Sequence, residues 1–387
     1  MTDLLIVGDT ERSAELRHEI PVNIGDPFVY AEVGGRRVAV VWSIEGDRIS
    51  AVDPTIEIVP SETFPSDELI NAGMDYYEIA PTLAVQMVQS LGLTSAVVPR
   101  AFPLQYADKL REAGVELVTD QRVFDDRRRR KTAAELDGIR RASRAAEAGI
   151  AAIAEVLARS EPGTDGRVVD GEPLTAELLK TAATDAFAAA GCRGDDLIVA
   201  IGPQSADGHH AGSGPVRNDD VVLCDLFPRH GESACFSDMT RTFAVGTPDP
   251  EIATWHAQTL EALEVVRGLV RPGVDGKEIF RAACDFYEGL GYPTSLSKPP
   301  GTVLREGFNH GLGHGVGLEV HEAPSLAKVG HELVVGDVIT LEPGLYRQGF
   351  GGVRLEDLVV VTDDGCETIT DYPYALDPAA AVGAEAR

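Results

Sequence analysis

The sequence predicts an α+β domain preceded by a smaller α/β domain. At 387 residues the chain is longer than one hydrophobic core usually requires, so two domains are expected. Short apolar strands alternate with helical patterns in the first third, whereas runs of helices and of antiparallel strands follow it. A basic segment, residues 127–131, separates these patterns, and we place the domains at 1–128 and 129–387.

The first domain opens with a predicted β-hairpin. Apolar residues 28–33 and 37–42 flank Gly34-Gly35, which favours a tight turn between two strands. A helical pattern at 83–91 precedes the apolar residues 96–98, as in a βα unit. The basic segment itself reads as a solvated linker.

The second domain begins with a long amphipathic helix. From Thr132 to Arg159, apolar residues recur every three or four positions, and Pro162-Gly163 ends the pattern. Two further helices are expected at about 174–190 and 251–270. Strands are predicted at 219–227, 235–245, 312–321, 337–343 and 352–361, and residues 379–387 resemble a frayed polar tail.

Composition excludes several classes of function. The formal net charge is −28, from 34 basic and 62 acidic residues, and such a chain repels nucleic acid. No apolar run is long enough to cross a bilayer, and the N-terminus lacks the pattern of a secretory signal. The five cysteines are scattered and form no CxxC pair, which is typical of a reducing compartment. We therefore expect a cytoplasmic protein without a membrane or nucleic-acid partner.

Five ionisable residues interrupt apolar or glycine-rich segments of the second domain. A buried carboxylate is costly unless it is paired or binds a metal. Four carboxylates and one imidazole suit Mn²⁺ or Co²⁺, with Zn²⁺ or Fe²⁺ as alternatives, and two such ions together support hydrolysis. The five residues are Asp225, Asp238, His314, Glu342 and Glu356.

Other histidines lie in or near glycine-containing segments, where a substrate could approach the ring. His310 and His321 flank His314 in sequence, and His209 and His210 follow Gly208. Most lone histidines are structural, so the glycines are what favour a functional role. Of the adjacent pair, His209 is the better candidate, and His210 is retained as the alternative.

Four segments resemble the M24 metallopeptidases of the pita-bread fold, in the branch of Xaa-Pro aminopeptidases and prolidases. The similarity covers roughly residues 131–378, with a weaker match to the creatinase-like N-terminal domain before it. Asp225 and Asp238 are 13 positions apart, two more than the family pattern, and Gly208 replaces a proline. The matching segments are residues 237–243, 310–318, 341–346 and 352–357.

The resemblance implies a site with two divalent metal ions, for which manganese is the expected metal. Asp225 would bind one ion and His314 with Glu342 the other, while Asp238 and Glu356 would bridge both. Glu342 would also act as the general base for a bridging hydroxide.

The resemblance further implies a hydrolase for the peptide bond on the N-terminal side of proline. His310 would orient the substrate, His321 would contact the carbonyl side of the scissile bond, and His209 would be the upstream active-site histidine. Arg354 would support the bridging carboxylate without binding a metal ion itself. The implied partners are a proline-containing peptide or dipeptide and a second copy of the chain in a homodimer.

Two other functions remain as alternatives. A creatinase-like amidinohydrolase shares the fold without needing metals, and an inactive member could serve as a binding protein. The complete set of ligand residues argues against both. Methionine aminopeptidases lack a large N-terminal domain. The sequence leaves open whether a dipeptidase or an aminopeptidase is encoded.

Overall fold

The computed structural model of the protein describes residues 3–194 and 196–383. The chain divides into two compact units, Met1–Arg128 and Arg129–Arg387. The assignment of a creatinase-like domain to the first and a catalytic domain to the second stays a prediction. No helix formed by the described residues is both long and apolar enough to span a membrane.

A six-stranded mixed sheet lies at the centre of the first unit. Its elements are β1 (Leu4–Gly8), α1 (Ala14–Glu19), β2 (Phe28–Val33), β3 (Arg36–Val41), α2 (Ser43–Val52), β4 (Glu57–Pro60), α3 (Ser66–Asn71), α4 (Tyr76–Ser90), β5 (Ser95–Val98), α5 (Leu104–Glu112), β6 (Glu116–Thr119) and α6 (Gln121–Arg128). The strand order is β4-β3-β2-β1-β5-β6. β2 and β3 are antiparallel and joined at Gly34-Gly35, which confirms the predicted hairpin.

The inner strands of this sheet, such as β1 and β2, are buried on both faces. Consecutive residues of β1 belong to different apolar cores: Leu5 lies in one and Ile6 in the other. Helices α4 and α5 contribute to one core, and α1, α2 and α6 contribute to the other. Strands covered on both sides are apolar along their whole length, as the sequence shows.

The basic segment is not a solvated linker, and that expectation is wrong. Arg127 donates hydrogen bonds to Glu19 at 2.6 Å and to Glu32 at 2.5 Å. Arg128 and Arg129 are buried, and Arg129 pairs with the buried Asp337 at 2.7 Å. Buried guanidinium groups need such carboxylate partners, so these arginines are structural.

The second unit contains five helices and sixteen short strands among its described residues. They are α7 (Ala133–Arg159), β7 (Glu161–Pro162), β8 (Arg167–Val169), β9 (Glu172–Pro173), α8 (Ala176–Ala189), β10 (Cys192–Arg193), β11 (Ile198–Ile201), β12 (Val221–Leu226), β13 (Arg229–His230), β14 (Met239–Ala244), α9 (Pro250–Arg267), α10 (Gly276–Gly289), β15 (Glu306–Gly307), β16 (Gly313–Gly315), β17 (Glu322–Leu326), β18 (Val338–Leu341), β19 (Gly344–Arg347), β20 (Gly351–Arg354), β21 (Asp357–Val361), β22 (Cys366–Thr368) and α11 (Pro378–Gly383).

Three sheets of this unit surround the candidate site. Their strand orders are β11-β12-β14, β15-β19-β20 and β17-β16-β18-β21-β22. Helices α7 and α8 pack on the first sheet, and α9 and α10 contribute to a core with the other two. The paired strands within these sheets are antiparallel, as an α+β domain requires.

The long predicted helix is confirmed as α7. The Thr132 hydroxyl caps the N-terminus of α7 by accepting a hydrogen bond from the Glu135 N–H, and the Glu135 carboxylate accepts one from the Thr132 N–H. This reciprocal capping box fixes the first turn. The apolar face that includes Ile139, Ile150 and Ile153 is fully buried.

Several expected boundaries are wrong. Helix α10 was not predicted, and only residues 313–315 of the expected strand 312–321 are in a strand before β17 begins. The expected strand 352–361 breaks at Leu355-Glu356 into β20 and β21, which belong to different sheets. The expected tail contains α11, whose Ala381 is buried in the core with α7; residues 384–387 lie outside the described chain.

Candidate metal centre

Backbone pairing brings the five ligand candidates to one place. Asp225 in β12 lies opposite Thr240 in β14, two positions after Asp238. The N–H of Glu356 donates to the carbonyl of Thr240 at 3.1 Å. In the neighbouring sheet, Leu341 lies opposite Asp357, so Glu342 and Glu356 leave their strands at the same end.

These residues line a cavity of about 850 Å³ in the second unit. Nine of the ten candidates from the sequence line it: Asp225, Asp238, His314, Glu342, Glu356, His209, His310, His321 and Arg354. The exception is His210, which was the alternative to His209. Their individual roles stay predictions.

His314 lies in β16 between two glycines that the packing requires. A Cβ atom at Gly313 would lie 2.1 Å from the Thr340 carbonyl oxygen, and one at Gly315 would lie 2.2 Å from that of Ala323. The adjacent strands therefore approach too closely for any side chain at either position. The glycines were expected to give a substrate access to the ring. In the structure they allow β16 to pack closely against its neighbouring strands.

The hydrogen bonds of His314 leave one ring nitrogen available. Its Nδ1 lies 3.1 Å from the carbonyl oxygen of Gly315, and because a carbonyl only accepts, Nδ1 carries the proton. Burial lowers the pKa of His314, so the ring is neutral near pH 7. The Nε2 lone pair therefore faces the carboxylates, 3.6 Å from Glu342 Oε1 and 3.7 Å from Asp238 Oδ2.

The carboxylates are too close together to remain charged without a cation. Ligand atoms of Asp238, His314 and Glu356 lie within 4.8 Å of one another. Burial, followed by the charges of neighbouring carboxylates, raises the pKa of Asp238 and of Glu356 well above the usual range. Burial also raises the pKa of Glu342, to about 7.

Two buried oxygens in this cluster have no hydrogen-bond partner, namely Oδ1 of Asp225 and Oδ1 of Asp238. An unpaired buried oxygen costs free energy that a bound cation would offset. Clustered carboxylates with a neutral imidazole form the type of ligand set that divalent transition metals take. The residues present therefore fit a metal centre.

Arg354 is hydrogen-bonded to the carboxylate cluster, directly and through Thr240. Its Nη2 donates to Asp225 Oδ2 at 2.5 Å, and its Nε donates to Thr240 Oγ1 at 3.1 Å. The Thr240 hydroxyl in turn donates to Glu356 Oε2 at 2.7 Å. Arg354 was expected to support a bridging carboxylate, but its direct carboxylate partner is Asp225, and Thr240 relays its contact to Glu356.

Tyr346 fixes the orientation of His310. Because Nδ1 of His310 lies 2.6 Å from the Gly311 carbonyl oxygen, Nδ1 carries a proton, and burial lowers the pKa of the ring to about 3. The neutral ring accepts at Nε2 from the Tyr346 hydroxyl at 2.9 Å. The same hydroxyl oxygen accepts from Arg354 Nη1 at 3.3 Å.

The remaining histidines have different surroundings. His209 is exposed and lines the cavity, whereas His210 does not line it and accepts a hydrogen bond at Nδ1 from the Gly212 N–H. The ring centroid of His321 lies 4.2 Å from that of His314, so it borders the cluster directly. The structure thus brings His209 rather than His210 to the cavity.

The sequence did not point to Thr240, Tyr346 or the cavity residue Lys298. Thr240 and Tyr346 are fully or almost fully buried polar residues in strands. A threonine or tyrosine in a strand is ordinary, because both are good strand formers. Only the spacing of Thr240, two positions after Asp238, could have suggested that it shares a face with the metal cluster.

Comparisons with known proteins agree on one family. The family description "Metallopeptidase family M24" matches residues 137–363. A probable dipeptidase PepE of Mycobacterium bovis is 32% identical over 282 residues, which cover 72% of this chain and 68% of that protein. A Xaa-Pro dipeptidase of Pyrococcus horikoshii is 31% identical over 289 residues, 74% of each chain.

Solved structures show the same fold. The prolidase from Pyrococcus horikoshii has a TM-score of 0.75 at 23% identity, over 97% of this chain and 95% of that one. The X-Pro aminopeptidase from Thermotoga maritima has a TM-score of 0.77 at 22% identity, over 97% of each. These likenesses confirm the predicted fold class, an α+β pita-bread domain after a smaller α/β domain.

Proposed function

The chain belongs to metallopeptidase family M24, and from this we propose that it is an exopeptidase with two metal ions that hydrolyses the peptide bond before proline. The observation that carries the proposal is the cluster of Asp238, His314 and Glu356, with two unpartnered carboxylate oxygens beside it. The proline specificity is supported by relatives named as Xaa-Pro dipeptidases and a structural neighbour named as an X-Pro aminopeptidase.

Five residues would hold the metal ions. Asp225 would bind one ion, His314 and Glu342 the other, and Asp238 and Glu356 both. Bound divalent cations would lower the pKa of a shared water, favouring hydroxide as the nucleophile, and would offset the negative charge of the tetrahedral intermediate. We propose manganese for these ions because the ligand set is dominated by carboxylates.

Glu342 is the proposed proton carrier of the reaction. Its carboxylate lies at the cavity beside His314, and in the metal-free protein burial raises its pKa to about 7. It would take a proton from the attacking water and deliver it to the proline nitrogen, which leaves as the C–N bond breaks. Its Oε2 lies 3.9 Å from Nδ1 of His310.

The histidines would position the peptide. Burial keeps His310 neutral, and Gly311 and Tyr346 hold its ring in one orientation, so it presents a fixed surface to the substrate. His321 would contact the carbonyl side of the scissile bond, and His209 would border the substrate from the exposed side of the cavity. Fixed partners of this kind reduce the entropy lost on reaching the transition state.

Asp238→Ala is the direct test of the site. We expect it to abolish both metal uptake, measured by elemental analysis after dialysis against Mn²⁺, and hydrolysis of Xaa-Pro dipeptides. Asp363→Ala is the matched control, since Asp363 is exposed and outside the cavity. Retained activity in Asp238→Ala would refute the assignment.

The same preparation separates the alternative functions. Wild type without metal uptake would favour an inactive binding protein, and amidinohydrolase activity that survives a chelator would favour the creatinase-like reading. The predicted homodimer and cytoplasmic location remain proposals that ultracentrifugation and fractionation would test.

A further inference from the structure

The cavity is strongly acidic, and few positive groups offset this charge. Besides the four carboxylates of the metal cluster, Asp196 and Asp207 line it. Among the lining residues that the structure describes, Arg354 and Lys298 are the two with permanently basic side chains. The proposed metal ions would offset the four cluster carboxylates but not Asp196 and Asp207, so an anionic group of a substrate that does not bind the metal ions would need one of these two basic residues.

The side-chain nitrogens of Arg354 already donate hydrogen bonds within the protein. Its side chain is 4% exposed and its three nitrogens donate to Asp225, Thr240 and Tyr346. A second carboxylate would have to displace these buried partners, which would leave Asp225 without its counter-charge. Losing one partner of a buried ion pair is strongly destabilising.

Lys298 has a less occupied side chain than Arg354. Its ammonium group donates to the Thr302 carbonyl oxygen at 2.7 Å, and no carboxylate of residues 3–194 or 196–383 lies within ion-pair distance of it. An ammonium group has three donors, so hydrogen-bonding capacity remains. The side chain is half-buried rather than free in solvent.

The turn that bears Lys298 is fastened to the segment that bears His310. The N–H of Lys298 donates to the Thr294 carbonyl at 3.1 Å, which closes the turn. The N–H of Ser295 donates to the Phe308 carbonyl at 2.9 Å, and the Ser295 hydroxyl donates to the His310 carbonyl at 3.5 Å. The turn that bears Lys298 is therefore attached to the segment that bears His310, and both side chains line the same cavity.

We propose that Lys298 binds the free C-terminal carboxylate of the substrate, so that the enzyme prefers Xaa-Pro dipeptides to longer peptides. This inference rests on the proposed function. In a dipeptide the carboxylate belongs to the proline that follows the scissile bond, so it enters the cavity with the reacting group. In a longer peptide that position carries a neutral amide, and Lys298 gains no ion pair.

The test compares Ala-Pro with its neutral analogue, Ala-Pro amide, on the metal-loaded enzyme. The variants are Lys298→Met, which removes the charge, and Lys298→Arg, which retains it. Lys328→Met is the matched control, because Lys328 is exposed and does not line the cavity. We expect Lys298→Met to raise KM for Ala-Pro about fivefold to tenfold, the effect of one partly exposed charge-assisted hydrogen bond, while KM for the amide stays unchanged.

Lys298→Arg and Lys328→Met should retain the preference of the wild type for the dipeptide. Added salt should weaken that preference in wild type but not in Lys298→Met, because salt screens a partly exposed ion pair. Equal losses on both substrates in Lys298→Met would overturn the proposal, since they would mean that Lys298 only closes its turn through Thr302. Equal KM values of the wild type for both substrates would overturn it as well.

A binding measurement separates this proposal from the proposed function. Proline and prolinamide are titrated calorimetrically into each variant, without any turnover. If neither Ala-Pro nor its amide is hydrolysed, the proposed function fails, and the titrations still decide the role of Lys298. Tighter binding of proline than of prolinamide that disappears in Lys298→Met supports the carboxylate site, and equal binding in the wild type refutes it.

Discussion

Replacing Thr240 by valine would separate support of the metal centre from stability of the fold. The substitution keeps the shape of the side chain and removes a fully buried hydroxyl. That hydroxyl donates to Glu356 Oε2 at 2.7 Å and accepts from Arg354 Nε at 3.1 Å. Valine would leave one oxygen of a proposed bridging carboxylate without its donor and a buried guanidinium N–H without its acceptor.

Each group left without its partner costs about 1–3 kcal/mol, so the metal-free Thr240→Val variant, which leaves two such groups, should be about 2–6 kcal/mol less stable than wild type. Loss of such an outer support typically lowers metal affinity about 10- to 100-fold. Denaturant unfolding of chelator-treated protein measures the first effect. Calorimetric titration with Mn²⁺ measures the second.

Thr242→Val is the matched control. Thr242 lies on the same strand and is also buried, but its hydroxyl contacts only the backbone of Arg354, donating to the carbonyl at 2.8 Å and accepting from the N–H at 3.1 Å. It should lose stability by a similar amount, about 2–6 kcal/mol, because two groups again lose their partner, and it should retain its Mn²⁺ affinity. Wild-type affinity in Thr240→Val, or an equal loss in both variants, would refute the role of Thr240.

Two further predictions concern a tyrosine in the site and a histidine outside it. Tyr346→Phe should retain its metal and lower kcat about tenfold, the equivalent of one hydrogen bond, because His310 loses its partner at Nε2; an unchanged kcat in steady-state kinetics would contradict this. Burial lowers the pKa of His256 from 6.5 to about 4. The imidazole is therefore protonated at a lower pH in the folded protein than in the unfolded chain. The free energy of unfolding should therefore drop by about 2 kcal/mol from this group between pH 8 and pH 5, and denaturant unfolding should show that His256→Leu lacks this part of the decrease.

Local patterns predicted those elements whose periodicity is strong. Helix α7 and the hairpin of β2 and β3 follow from spacing, capping and a glycine turn alone. Helix α10, which was not among the predicted elements, has an equally clear local signal: Asp275 caps it, and its buried residues recur at helical intervals, namely Ile279, Phe280, Ala283, Cys284 and Tyr287. Local sequence is therefore sufficient to predict this helix as well.

The break between β20 and β21 could not have been predicted in the same way. Residues 351–361 are mostly apolar, which suggests one continuous strand. The chain instead changes sheets at Leu355-Glu356, where the Glu356 N–H donates to the carbonyl of Thr240. This geometry depends on contacts with distant segments of the chain, and the hydrophobic periodicity of residues 351–361 carries no information about those contacts.

The candidate ligands were predictable because charge in an apolar segment is conspicuous. Thr240, Tyr346 and Lys298 were not, since nothing in their own segments is unusual. Their importance depends on what lies opposite them: Glu356 for Thr240, His310 for Tyr346 and the cavity for Lys298. Residues that bear an unusual charge are thus visible in a sequence, whereas those that position them emerge only from the fold.

A buried ion pair explains why two distant sequence segments supply one centre. Arg241, three positions after Asp238, pairs with Asp357, the neighbour of Glu356, at 2.9 Å, and both side chains are almost fully buried. The guanidinium also donates to the carbonyls of Thr240 and Glu356, at 2.9 and 2.7 Å. One side chain therefore fixes the backbone at the point where the sheets meet. Because a buried arginine without its carboxylate is strongly destabilising, the pair can form only in an arrangement that also brings Asp238 and Glu356 together.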